Sequence, residues 1–300
     1  MMEHDPVLLK EVLNALDESP LRREGGALVD ATLGLGGYSE AILARFPQIT
    51  VFGIDRDLAA LEFAQERLAS FSERFYPLHV NFGDMETKLS PYGLFNAFVF
   101  DLGVSNMQLV EAGRGFSFQR DGPLDMRMDP HGGSETAASI LNGKSAAELA
   151  DIFWRYGEER WSRVIASRIE SERRRGHRLQ TTGELVALIR DVLPAPVQRR
   201  MGGHPARRIF QALRIFVNDE LGELESALSV LPTLAAGGCV AAVVSYHSLE
   251  DRIVKHTFRR WEKEEKKGRV RTRRPILPTD EETERNYKAR SAKLRVFDFS

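Results

Sequence analysis

The sequence predicts an α/β fold: a mostly parallel, doubly wound sheet with an inserted, mostly helical domain. Three observations carry this. Short apolar runs alternate with helix-patterned segments up to about residue 104. That rhythm stops between about Gly103 and Pro205. It then resumes with a helix, an apolar run, a second helix and a last apolar run. Strand–helix alternation argues for parallel strands joined by helical crossovers. The expected division is 1–104 with 206–300 for the sheet domain and 105–205 for the insert, a size usual for a small domain.

The elements follow in order. P-V-L-L-K-E-V-L-N-A-L sets Val7, Leu8, Val12, Leu13 and Leu16 at helical spacing. A-L-V-D is a strand, G-L-G-G a turn, and Y-S-E-A-I-L-A-R-F a helix. I-T-V-F-G-I-D is the second strand and L-A-A-L-E-F-A-Q-E-R-L its helix; Y-P-L-H-V and A-F-V-F-D are the third and fourth strands. The stretch from Val110 to Gly133 is rich in Gly, Pro, Asp and Arg and reads as loop. Three helices follow, in A-A-E-L-A-D-I-F-W-R-Y, W-S-R-V-I-A-S-R-I-E and T-G-E-L-V-A-L-I-R-D-V-L. Ile209, Leu213, Phe216, Val217, Leu221, Leu224 and Leu228 make one helical face. C-V-A-A-V-V-S-Y is a strand, and the helix after it is expected to be capped by Ser248 with Asp251 in capping-box position. L-R-V-F-D-F is a final strand; the basic and acidic runs before it predict disorder between them.

The totals exclude several classes. Net charge is −1, so attraction to nucleic acid must come from local patches. The single cysteine, Cys239, sits in an apolar run; this excludes an intramolecular disulfide and a Cys-rich zinc site. The histidines show no metal-ligand spacing, so no metal is expected. M-M-E-H-D-P-V-L-L lacks a charged start followed by an apolar core and is not read as a signal peptide. No apolar run reaches the ~18 residues of a membrane span. The expected location is the cytoplasm, away from membranes.

In an open α/β sheet, ligands bind beyond the carboxyl ends of the strands, where the strand order reverses. Asp30, Asp55 and Asp101 sit at such ends, and Gly34, Gly36 and Gly37 lie between the first strand and its helix. Asp55 is placed where an acidic side chain meets ribose hydroxyls. The glycine spacing is not G-x-G-x-x-G, because position 39 is serine. That fits an adenosine cofactor without a pyrophosphate, S-adenosylmethionine. The plain structural alternatives are a loop that only packs helix on strand, and an Asp55 that only favours a helix N-terminus.

D-L-G-V-S, R-G-F-S-F-x-R-D-G-P-L-D-M-R-M-D, F-Q-A-L-R-I-F-V-N-x-E-L, S-Y-H-S-L-E-D-R-I-V-K and A-R-S-A-K-L-R closely resemble the small-subunit ribosomal RNA cytosine-N4 methyltransferase family. The resemblance runs from H-D-P-V-L-L to the C-terminus. It implies a Rossmann-like, S-adenosylmethionine-dependent methyltransferase with a helical insert. It also implies a bacterial cytoplasmic enzyme acting on N4 of a decoding-region cytidine in 16S ribosomal RNA, within an assembled or assembling subunit. Carried onto this chain, the cofactor contacts fall on Gly36, Gly37, Tyr38, Asp55, Phe82, Asp101 and Gln108. The family usually has histidine where Tyr38 stands, serine-serine-proline where Ser105-Asn106-Met107 stands, and phenylalanine where Tyr246 stands.

N4 of cytosine is a poor nucleophile because its lone pair is conjugated with the ring. An acceptor for one N–H helps it attack and later lose a proton. Asp101 either accepts that N–H or orients the cofactor's methionine amine, and Ser105 and Asn106 offer hydrogen bonds to the base edge. Attack through C5 would need a thiolate, and Cys239 reads as core. His247 is read equally as a base or RNA contact and as a structural residue. Phe116 and Phe118 are candidates for base stacking, and Arg120 and Arg127 for phosphate pairing; the alternative is a folded Ω-loop. Basic runs at 159–178, 199–208 and 255–274 suggest phosphate contacts. Two other classes compete with the methyltransferase: a nicotinamide oxidoreductase, and a noncatalytic RNA-binding assembly factor. Oligomeric state is not set by the sequence.

Overall fold

The apolar runs end up in one sheet. The computed structural model describes residues 6–300, so His4 and Asp5 of the H-D-P-V-L-L motif, and the start of the N-terminal reading, lie outside the described residues. Among the described residues seven strands form the sheet: β1 (Gly26–Asp30), β2 (Ile49–Asp55), β3 (Phe75–His79), β4 (Phe95–Asp101), β5 (Ala235–Ser245), β6 (Gly268–Val270) and β7 (Lys293–Phe299), in the order β3-β2-β1-β4-β5-β7-β6. The first five pair in parallel, and β7 runs antiparallel to both β5 and β6. The chain leaves β1 toward β2 and returns to β4 on its other side, so the strand order reverses between β1 and β4.

Side chains alternate across a strand, so a strand covered on both faces must be apolar throughout. Leu28, Val51, Ala97, Val99, Val240 and Val244 enter one core. Val29, Phe52, Phe98, Phe100, Ala241 and Val243 enter the other. That is why these segments read as unbroken apolar runs, and why each stops at a polar residue where the cover ends.

The chain forms two compact units, 1–103 with 221–300 and 104–220. The expected boundary at 205 therefore moves to 220. The single helical face read from Ile209 to Leu228 is two helices, Arg207–Asn218 and Glu220–Leu234. Asp219 adopts a left-handed conformation, φ 47°, and ends the first of them. Ile209, Leu213 and Val217 pack with Leu149, Ile152, Ile165 and Leu185 in the insert's own core, whereas Leu224 and Leu228 join the sheet. Apolar spacing alone continues through such a break, because a left-handed residue of Asp leaves no gap in the pattern.

Two further expectations change. The helix Ser248–Lys263 is capped by His247, with Glu250 completing the capping box. Asp251 instead pairs with Arg295, Nε to Oδ1 at 2.7 Å. The segment expected to be disordered is tied down: Arg271 binds Asp298 and the Ala15 carbonyl, Ile276 bridges to Leu294, and Thr279 caps the helix Asp280–Arg285. Its charges find specific partners, so composition misleads there. Among the described residues no helix is long and apolar enough to cross a membrane.

Candidate active site

Three carboxylates stand at the C-terminal ends of β1, β2 and β4. The Asp101 backbone N–H donates to Thr32 Oγ1 at 2.6 Å, which ties the end of β4 to the loop after β1. Its Oδ1 accepts the Tyr246 hydroxyl at 2.6 Å. Burial lifts the Asp101 carboxyl to about 7; the Tyr246 hydrogen bond and Lys288 act the other way, and Asp30 and Glu250 add to the rise. Asp30 is 1% exposed. Its Oδ2 accepts Ser39 Oγ at 2.7 Å, while Oδ1 is buried and has no hydrogen-bond partner among the described residues. Burial raises Asp30 to about 6 against that hydrogen bond. Asp55 accepts the N–H groups of Gly34 and Asp57, each at 2.8 Å, and burial still lifts it to about 6. Desolvation and neighbouring carboxylates disfavour the ionised form at all three.

The glycine loop lies between β1 and the helix Gly37–Arg45. Gly36 caps that helix at φ 78°, and a Cβ there would meet Leu68 and Ala64 at 3.2 and 3.3 Å. Any side chain would strain the backbone and crowd the next helix. Gly34 borders open space instead: a Cβ on it would have its nearest neighbour, the Thr32 carbonyl oxygen, at 3.9 Å. Ser39, where a third fingerprint glycine was absent, is the hydrogen-bond donor to Asp30. The Tyr38 side chain is buried and its hydroxyl donates to the Val7 carbonyl. Any ligand contact at Tyr38 is thus left to its backbone. Phe82 is half-buried in a short turn of helix, edge-on to Phe100 at 6.2 Å.

His247 is committed to the fold. Its Nδ1 accepts the Glu250 N–H at 3.4 Å, and its Nε2 lies 3.0 Å from Glu250 Oε1. Glu250 Oε2 in turn accepts the Tyr246 and His247 N–H groups at 2.8 and 3.2 Å. The structural reading of His247 is the one these bonds support. Gly103, at φ 104°, would set a Cβ 3.6 Å from the Tyr246 ring.

The remaining expected residues lie in the other unit. Ser105 Oγ accepts the Gln108 N–H, and Gln108 Oε1 accepts the Ser105 N–H, each at 3.2 Å; together they cap the helix Asn106–Val110. Asn106 opens that helix, and its side chain lies outside the described residues. Phe116 is 5% exposed within the insert's core, so it is not presented for stacking. Phe118 stacks on His204 at 4.6 Å and meets Phe210 edge-on. Arg127 is bidentate to Asp125, both bonds 2.8 Å, and so is not an open phosphate ligand. Arg120 is exposed and donates to the Val110 carbonyl. Arg114 donates to the Arg127 and Met128 carbonyls, and Asn218 bonds the Met128 N–H and the Met126 carbonyl. The stretch is a folded Ω-loop: a long polar loop has many backbone groups to satisfy, and these side chains do it.

Thr32, Ser39 and Tyr246 did not stand out in the sequence as site residues. A strand followed by S-Y-H-S is the signal for Tyr246, since its hydroxyl follows the end of β5, the strand after β4 in chain order. Cys239 is buried in β5, and burial pushes its thiol up, which disfavours a thiolate nucleophile.

A doubly wound sheet with a glycine loop after β1, carboxylates ending β1, β2 and β4, and an antiparallel strand beside β5 defines a Rossmann-like methyltransferase. The chain belongs to the MraW methylase family, whose model matches residues 1–300; this is the small-subunit ribosomal RNA cytosine-N4 methyltransferase family that its motifs resemble. It is similar to an rRNA-methylase candidate from Clostridium thermocellum, at 14% identity and a TM-score of 0.49, with all of both chains covered. An rRNA methylase from Streptococcus thermophilus matches at 11% identity and a TM-score of 0.45, over 100% of this chain and 98% of that one. A methyltransferase candidate from Streptococcus mutans, in complex with SAH, matches at 10% identity and a TM-score of 0.43 over all of both chains. As a member of this family the protein is an rRNA methylase, and S-adenosylmethionine is its methyl donor.

Proposed function

We propose that the protein methylates the N4 amino group of a cytidine in the decoding region of 16S ribosomal RNA, in the cytoplasm, on an assembled or assembling small subunit. The observation that carries this reading is the family match over residues 1–300, joined to a carboxyl at the end of β4, Asp101, that is held by Tyr246 and can take a proton.

The residues present fit the cofactor. The buried Asp30 Oδ1 without a partner, the open space at Gly34 and the two accepting oxygens of Asp55 suit a ligand that brings hydroxyl and ammonium donors. Three acidic groups along one rim would repel a pyrophosphate, which disfavours a nicotinamide dinucleotide. When bound, S-adenosylmethionine supplies an electrophilic methyl on a sulfonium. Gly34, Gly36, Gly37 and Tyr38 would hold it through backbone, Asp55 through the ribose, with Phe82 as a further contact.

The chain's own residues then manage one proton. On methylation the N4 amine must lose one proton. The amine becomes cationic and gives its proton to the Asp101 carboxylate, which passes it to water.

RNA binding is supported by the basic surface of the sheet unit. Within 255–274, Lys255, Arg259, Lys263, Lys266, Lys267, Arg273 and Arg274 have no ion pair among the described residues. The run 159–178 differs: Arg168, Arg174 and Arg175 are paired with acids, and Arg173 donates to the Leu141 and Lys144 carbonyls. The test is methylation of small subunits with labelled S-adenosylmethionine, followed by nuclease digestion and mass mapping. The reading requires N4-methylcytidine at one decoding-region position. Label on another base, or none in 16S rRNA, sinks it.

A further inference from the structure

Asp101 has one hydrogen-bonding side chain on its carboxylate among the described residues, and it is Tyr246. The two come from adjacent parallel strands: Asp101 is in register with Val244, and Tyr246 follows two residues later. The donor is fixed from both sides. Its backbone N–H donates to Glu250 Oε2 at 2.8 Å, at the cap of the helix Ser248–Lys263. Its ring packs against the sheet core. The hydroxyl therefore reaches Oδ1 from a rigid seat, and Oδ2 is left without a hydrogen bond among the described residues.

We propose that Tyr246 is a positioning residue for methyl transfer: its hydroxyl holds Asp101 by Oδ1 in the ionised form, so that Oδ2 receives the N4 proton. This rests on the reading of Asp101 as proton acceptor. A hydroxyl donor stabilises a carboxylate over a carboxylic acid, while the enclosed site and neighbouring anions do the opposite. The groups that bear on Asp101 are Tyr246, Asp30, Lys288 and Glu250. Tyr38 bears on Tyr246 and is itself affected by Asp101. Lys288 offsets part of the anionic surroundings, and Tyr246 is the neutral donor that adds direction as well as charge stabilisation.

The test is Tyr246→Phe, which removes one oxygen and keeps the packed ring. In the ligand-free protein, carbon-13 labelling of aspartate carboxyls, with Asp101 assigned by its loss in Asp101→Asn, follows the Asp101 titration directly. The midpoint should rise by about half a unit to one unit in Tyr246→Phe. Single-turnover methylation should show the matching change: its acidic limb moves up by the same amount. The loss at pH 6 should be about 3- to 10-fold, shrinking toward none at pH 8.5. An Asp101 midpoint that stays or falls, or a rate loss equal at every pH, overturns the proposal. If Asp101→Asn keeps full turnover, the acceptor reading fails, and the Asp101 titration in Tyr246→Phe still decides the Tyr246–Asp101 coupling by itself.

Discussion

The strand-end rim of the sheet and the loop over residues 114–129 treat charge in opposite ways. In the loop, Asp125 pairs with Arg127, and those bonds hold its carboxyl below the usual range although burial alone would raise it. Asp121, fully at the surface, is likewise lowered by the Gly183 N–H. At the rim, Asp30, Asp55 and Asp101 are all raised, because burial outweighs the few donors each has. A satisfied charge is a structural device. A carboxyl kept short of donors costs stability in the ligand-free fold, and such groups cluster where a ligand or a proton completes them. Both groups read as functional in the sequence; in the structure the loop's charges are satisfied by partners, and Asp30 Oδ1 at the rim has none among the described residues.

The comparison breaks most visibly if rim and loop variants behave alike. Asp101→Asn keeps shape and hydrogen bonding but cannot take a proton. Its turnover should fall by about 10²- to 10⁴-fold, with S-adenosylhomocysteine affinity changed by only a few-fold. Full turnover in a single-turnover assay would place Asp101 outside the chemistry. Asn218→Ala, at the helix end that anchors the loop, should act on stability alone. It leaves the Met128 N–H and the Met126 carbonyl unpaired, at a cost of about 3 kcal/mol, read by denaturant unfolding. A change under about 0.5 kcal/mol would mean that the loop does not depend on that side chain.

Asp30 sharpens the contrast through pH. Its folded value of about 6 lies above its ordinary 3.8, so the folded state holds the proton more tightly. That stabilisation is complete below about pH 3.8 and is lost as pH rises through about 6. Asp30→Asn, which still accepts from Ser39, should flatten the fall in stability across that window by about 3 kcal/mol in the ligand-free protein. An unchanged slope in thermal melts would show Asp30 to be ionised and satisfied. The smallest expected effect separates the two basic runs. Replacing Lys263, Lys266 and Lys267 by Gln should reduce the salt dependence of RNA binding by about 0.7–0.9 per charge. The same change at Arg168, Arg174 and Arg175 should do less, because those charges already face Glu170, Glu172 and Asp191. Equal effects would make the pairing irrelevant.

Much of the sheet was legible in the sequence for a simple reason. Strands covered on both faces must be apolar throughout, and β1, β2 and β4 each end on an aspartate, Asp30, Asp55 and Asp101. The short β6 was not legible, since Gly268–Val270 is only three residues long and lies in a charged run. The insert's end was missed because the helical spacing continues past Asp219, and helical periodicity does not reveal which core a face enters. At the site, the glycine loop and strand-end acids were readable from position alone. Tyr246 was not, because its role depends on β5 lying beside β4, a pairing of residues far apart in the chain. Phe116 and Arg127 misled for the converse reason: aromatic and basic types suggest RNA, and only packing shows that a core and Asp125 hold them.

The acidic rim holds the cofactor on this reading, and Arg127 serves only the fold of its loop. Calorimetry with S-adenosylhomocysteine on the wild type, Asp55→Ala and Arg127→Ala tests it most directly. The expected result is one site per chain, affinity weakened at least about tenfold in Asp55→Ala, and Arg127→Ala equal to wild type after correction for folded fraction. Binding untouched by Asp55→Ala, or lost only in Arg127→Ala, contradicts it.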